Sequence, residues 1–205
     1  MIVIVDYGIG NIASILNMLK RIGSQAKISS SPDEISAADK LILPGVGAFD
    51  TAMRHLNESG LREVLEKAVL EKKTPTIGLC LGMQLLTGGS EEGNLPGLGW
   101  IAAETHRFRF PPELVNLKVP HMGWNTVSIN PEKPLVFELQ DSSRFYFVHS
   151  YHVVLGDACD AAATTTYGYE FVSIVQKGHI MGTQFHPEKS HKFGMKLLRN
   201  FAELP

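Results

Sequence analysis

With 205 residues, 44% of them hydrophobic, and a formal net charge of −2, the chain can bury a core as one domain without covalent staples. So even a charge balance argues against a nucleic acid or other polyanion as partner. Its two cysteines, Cys80 and Cys159, form no Cys-x-x-Cys pair, which speaks against a disulfide framework or zinc ribbon and for a reduced, cytoplasmic setting. No run reaches the roughly 18 apolar residues of a membrane span, and the apolar residues 2–5 read as a strand rather than a signal peptide, so a soluble protein is expected.

The β-branched run 2–5 has the character of a strand buried on both faces. Gly8-Ile9-Gly10 turns the chain, Asn11 stands at an N-cap position, and Ile12, Ile15, Leu16, Leu19 and Ile22 recur at helical spacing until Gly23. Short strands are expected at 26–29, 41–43 and 76–79, with a helical turn from Pro32 and helices over about 48–57 and 60–72. This alternation predicts a mostly parallel sheet flanked by helices. Beyond residue 95 the rhythm changes. Segments 99–103, 125–129, 145–148, 152–155, 163–167, 171–176 and 180–185 are short and rich in β-branched or aromatic residues, predicting an antiparallel extension of the same core. A closing helix over about 192–204 would carry Phe193, Leu197, Leu198 and Phe201 inward. With no repeat, low-complexity tract or linker, residues 1–205 read as a single α/β domain.

Gly78-Leu79-Cys80-Leu81-Gly82, between a buried strand and a helix start, has the small-x-nucleophile-x-small pattern of a nucleophile elbow. Glycines flank the apex because a Cβ there would strike the neighbouring strand and helix. A cysteine nucleophile needs a base and a group to orient that base. Among eight histidines, His186 stands out in Gln184-Phe185-His186-Pro187-Glu188: proline keeps the preceding residue extended, so Glu188 would fall on the same side as His186 and accept its Nδ1 proton. The plain alternative is a surface turn with a coincidental acid. An oxyanion hole would take one backbone N–H from Leu81 and a second from Val46 or Gly47 in Pro44-Gly45-Val46-Gly47. Gln84, one turn into the helix after Cys80, could reach a substrate at the elbow or simply face solvent.

Other patterns carry less. Gly8-Ile9-Gly10-Asn11-Ile12-Ala13 resembles a dinucleotide fingerprint, but the second strand ends in Ser29-Ser30-Ser31 where an acid should hold the ribose, so a tight turn at the reactive edge is expected instead. His149 and His152 would point to opposite faces of an extended chain, and no metal site is expected. Cys159 reads as a loop residue, and His55, His106, His179 and His191 have no acidic or cysteine framework around them.

These motifs, with Asp6-Tyr7-Gly8-Ile9-Gly10-Asn11, Pro120-His121-Met122-Gly123-Trp124-Asn125 and Tyr146-Phe147-Val148-His149-Ser150-Tyr151, resemble the class I, triad-type glutamine amidotransferases almost end to end. Within that family the resemblance is to the branch that serves histidine biosynthesis. It implies L-glutamine as substrate, no cofactor, Cys80, His186 and Glu188 as catalytic groups, and Gly47, Gln84, Ser150 and Tyr151 as glutamine-holding residues. It also implies a heterodimer with a (β/α)₈-barrel cyclase subunit that receives the ammonia, with Asn11, Tyr146 and Lys189 at the interface. One departure is the paired Gly88-Gly89, where a bulkier residue and an acid are expected, suggesting a shorter or looser loop beside the elbow. Parts of the C-terminal half, such as Thr166-Tyr167-Gly168-Tyr169-Glu170, also resemble paralogues that feed ammonia to sugar-modifying enzymes of surface polysaccharide synthesis. A free-standing cysteine hydrolase on the same fold is a further alternative.

Overall fold

The computed structural model describes residues 1–114 and 117–205. Strand β1 (Ile2–Val5) lies between β2 (Ala26–Ser29) and β3 (Lys40–Leu43), and β4 (Thr76–Leu79) continues the parallel run beside β3. Side chains alternate across these strands, so the continuous apolar runs serve two cores at once. Val3, Val5, Leu41 and Leu43 face α2 (Pro32–Ser36), α3 (Phe49–Glu58), α4 (Leu61–Glu66) and α5 (Leu81–Leu85). Ile2, Ile4, Ile42, Ile77 and Leu79 face α1 (Ile12–Arg21) and α6 (His191–Glu203), whose Leu197, Leu198 and Phe201 are fully buried while Phe193 is only partly so.

The second half supplies β5 (Ala103–Arg107), β6 (His121–Thr126), β7 (Ser128–Ile129), β8 (Arg144–His149), β9 (Tyr151–Leu155), β10 (Ala161–Tyr167), β11 (Tyr169–Lys177) and β12 (Ile180–Thr183). β12 inserts parallel to β4, and β11, β10 and β7 follow antiparallel, with β9 and β5 branching from β11. β6 and β8 form a separate two-stranded sheet. The pairing of Gly182 with Gly78 and Thr183 with Leu79 brings the carboxyl ends of β12 and β4 level, and the Cys80 N–H donates to the Thr183 carbonyl at 2.7 Å. Among the described residues no helix is long and apolar enough to cross a membrane.

Several expectations change at the local level. The expected strand at 99–103 is irregular up to Ala103: Gly99 has φ +67°, and the N–H groups of Leu98, Trp100 and Ile101 are spent on the Leu85 and Leu86 carbonyls that end α5. The expected strand at 125–129 is two strands in different sheets, separated at the buried Val127. The strand expected over 180–185 ends at Thr183. Asn11 precedes α1 as foreseen but makes no side-chain cap, and the last turn after α4, Lys67–Glu71, winds as a π-helix. His149 and His152 do not point apart. The chain turns at Ser150 between β8 and β9, and both rings pack on Phe108, at 5.2 and 4.7 Å between centroids. The paired glycines are tied down rather than loose: Gly88 N–H donates to the Ala103 carbonyl, Thr105 N–H donates to the Gly89 carbonyl, and a Cβ on Gly88 would sit 2.6 Å from the Glu104 carboxylate.

Candidate active site

The site begins at the turn from β4 into α5. Cys80 has φ +54° and ψ −109°, a conformation that aims its side chain away from both elements. The flanking glycines are required by close backbone approach. A Cβ on Gly78 would lie 2.5 Å from the Gly82 carbonyl oxygen, and one on Gly82 would lie 2.0 Å from that of Leu43. Gly45 meets the elbow from the other side, where a Cβ would come within 2.3 Å of the Gly82 nitrogen. The Pro44–Gly47 loop is therefore seated directly against the turn.

Because β12 runs beside β4, the segment after Thr183 emerges next to Cys80. His186 is extended, and Pro187–Lys189 forms a short 3₁₀ turn. That turn, rather than continued extension, returns Glu188 to the His186 ring, whose Nδ1 donates to Oε1 at 2.8 Å. Both side chains are buried, 5% and 2% exposed. Ser190 Oγ locks the turn, donating to the His186 carbonyl and accepting from the Tyr146 N–H.

Cys80 and His186 open into a pocket of about 430 Å³. Val46, Gly47 and Leu81 line it, as do Gln84, Ser150, Tyr151 and Lys189. Gly47 has φ +92°, a backbone state that suits glycine. Tyr146 lies outside the pocket wall with Lys189 Nζ 5.9 Å above its ring, and Asn11 is exposed at the start of α1, away from the pocket. The glycine-rich turn after β1 braces the Pro44 loop: Tyr7 donates to the Pro44 carbonyl, and Gly10 approaches the Pro44 ring so closely that a Cβ would lie 2.7 Å away.

A family profile described as class-I glutamine amidotransferase matches residues 3–204. The chain belongs to the class I glutamine amidotransferases. It is 53% identical over its whole length to "Imidazole glycerol phosphate synthase subunit HisH 2" of Pseudomonas aeruginosa, covering all of that protein. It is 54% identical to a protein of the same name from Methanococcus maripaludis, with 99% of both chains covered. The solved structure of PurLQS from Thermotoga maritima shares the fold with a TM-score of 0.74 over 98% of this chain and 96% of that one, at 17% identity.

In this glutamine amidotransferase the charge state of the imidazole follows from its neighbours. Burial opposes protonation of His186, but hydrogen bonds to Cys80 and Glu188, with their charges, outweigh it and raise the pKa to about 10. A pKa so raised favours the protonated ring. Gln84 is 4% exposed, so it is no helix-surface residue: its Nε2 donates to the Tyr151 carbonyl at 3.1 Å and to Gln184 Oε1 at 3.2 Å.

Three residues at the site were not singled out by sequence. Gln184 turns its Nε2 toward Cys80 Sγ at 4.0 Å. Glu92 reaches the pocket from the loop after Gly88-Gly89 while its Oε2 accepts the Phe49 N–H at 2.9 Å. His149 closes the wall beside Ser150. Gln184 opens the histidine motif and His149 lies inside the Tyr146–Tyr151 motif, both usable signals; Glu92 has none, since its partner Phe49 comes from a distant segment.

Proposed function

We propose that this chain, as one domain over residues 1–205, is the glutaminase subunit of an imidazole glycerol phosphate synthase in histidine biosynthesis. The observation that carries the chemistry is the buried His186–Glu188 pair beside a strained cysteine elbow. Full-length identity to proteins that bear the synthase name supports the pathway.

In this reading Cys80 Sγ attacks the side-chain amide carbon of glutamine. The negative oxygen of the tetrahedral intermediate is met by the N–H of Leu81 and by that of Val46 or Gly47. Collapse breaks the C–N bond as His186 gives its proton to the departing ammonia. Water then attacks the glutamyl thioester as His186 takes its proton, the C–S bond breaks, and glutamate leaves with the Cys80 thiolate and the protonated ring restored. Glu188 keeps the imidazole oriented throughout. Gly47, Gln84, Ser150 and Tyr151 hold the glutamine, and the Glu92 carboxylate at the pocket wall suits its α-ammonium group.

The ammonia passes to a (β/α)₈-barrel cyclase that forms imidazole glycerol phosphate and an aminoimidazole carboxamide ribotide, in a cytoplasmic heterodimer. Tyr146 and Lys189 flank the His186 turn, and Asn11 heads α1, the helix that packs against it. The neighbouring β6–β8 sheet adds two large apolar side chains to that face, Met122 and Trp124, 63% and 46% exposed. We assign this face to the barrel.

Replacing Cys80 with alanine should abolish glutamine-dependent synthesis by the two-subunit complex and spare synthesis from ammonium salt. Retained glutamine-dependent turnover would refute the assignment. Restoring growth of a histidine auxotroph that lacks this subunit, when the chain is supplied with its barrel, tests the pathway. Glutaminase activity without restored growth would point to the sugar-modifying acceptor instead.

A further inference from the structure

His149 is a buried pocket-wall residue that the triad does not use, and its hydrogen bonds settle its tautomer. Nδ1 lies 2.7 Å from the Tyr151 carbonyl, an acceptor only, so Nδ1 carries the proton and Nε2 is left as an acceptor. At 3.0 Å from that Nε2 stands His121 Nδ1, which must therefore be the donor. His121 Nε2 in turn accepts from Asn125 Nδ2 at 3.3 Å. The Asn125 amide is fixed by backbone groups on both sides: Nδ2 also donates to the Thr166 carbonyl at 3.0 Å, and Oδ1 accepts the Thr126 N–H at 2.9 Å. Every donor and acceptor along the path thus has one consistent assignment.

We propose that His121 and His149 are positioning residues, forming with Asn125 a one-way hydrogen-bond chain that holds the Ser150–Tyr151 segment in register for substrate and links it to the β6–β8 sheet. This rests on the reading of Ser150 and Tyr151 as glutamine-holding residues. The far end of the chain reaches the nucleophile, because the Tyr151 carbonyl also accepts from Gln84, and Gln84 leads through Gln184 to Cys80 Sγ. The near end lies on β6, whose opposite face presents Met122 and Trp124. The chain operates only with both rings neutral, since a second proton on either would set two N–H groups against each other. Burial enforces this, depressing His149 to about 3 and His121 to about 4.

Two measurements on the full chain test the proposal. The first is nitrogen-15 NMR of the imidazole rings at neutral pH in the wild type. Both His121 and His149 should show the Nδ1–H tautomer, whereas free imidazole side chains favour Nε2–H; an Nε2–H tautomer at either would overturn the chain. The second is His121→Phe, which keeps the stacking on Tyr167 and Phe147 at 4.1 and 4.7 Å but cannot donate. Assayed with the barrel subunit, it should raise KM for glutamine about ten-fold with kcat within about two-fold of wild type. A wild type that releases no glutamate would refute the glutaminase reading and this proposal with it. An active wild type whose KM the variant matches would refute the relay alone.

Discussion

The phenol of Tyr7, in the turn after β1, donates to the carbonyl of Pro44 and so ties that turn to the loop that carries Val46 and Gly47. Tyr7 is 4% exposed, and burial pushes its phenol above the ordinary value, so it remains a donor. Tyr7→Phe should leave that carbonyl without its partner, costing about 1–2 kcal/mol. Thermal unfolding should then begin a few degrees lower. Glutamine hydrolysis should lose kcat more than it gains KM if, as proposed, an N–H of the loop meets the oxygen of the tetrahedral intermediate. An unchanged kcat would separate Tyr7 from the site.

The raised pKa of His186 makes a signed prediction. Its folded value, about 10, lies above the ordinary 6.5. The stability it contributes is therefore present in full below pH 6.5 and is lost as pH rises through about 10. Glu188→Gln removes one of the groups that raise it. In denaturant titrations across that window the variant should lose less stability than wild type, and the His186 ring should titrate at lower pH by NMR. Identical pH profiles would show that the carboxylate does not support the charged ring.

Gly82→Ala tests the seating of the elbow against β3. The new methyl would fall 2.0 Å from the Leu43 carbonyl oxygen, a backbone atom that cannot move without displacing the sheet. A destabilisation of roughly 3 kcal/mol is expected. For a chain of this size that corresponds to a fall in Tm of about 6–12 °C. A Tm within about 2 °C of wild type would show that the turn relaxes more readily than its packing implies.

Trp124→Ala addresses the face proposed above to meet the partner. The indole is 46% exposed and stacks on His191 with the rings 4° from parallel. Its loss should change stability by no more than about 0.5 kcal/mol. Affinity for the barrel subunit should fall by at least about ten-fold, read by titration calorimetry. Unaltered affinity would move the interface off the β6–β8 sheet.

The parallel half of the fold was legible in the sequence because its signals are local. The run at Ile2–Val5, the helical spacing from Ile12 and the glycines around Cys80 each report on their own immediate surroundings. The pairing of His186 with Glu188 was legible as well, although a tight turn achieves what continued extension was expected to do. What escaped was set by distant partners. Residues 99–102 look like a strand until their N–H groups are needed at the end of α5, and the break at Val127 follows from β6 and β7 joining different sheets. Extended spacing sets His149 and His152 on opposite faces because nothing local marks the turn at Ser150. Gln184 could not be matched to Cys80 across 104 residues without the β4–β12 register.

The torsions of Cys80, φ +54° and ψ −109°, are ones that glycine reaches freely and a residue with a side chain reaches only at a cost of about 1–3 kcal/mol. A glycine at this position would relax the turn and remove the sulfur in the same step. Resilience and reactivity thus compete for one pair of angles, and a heat-hardened descendant of this protein would have to find its gains everywhere except at the apex of that bend.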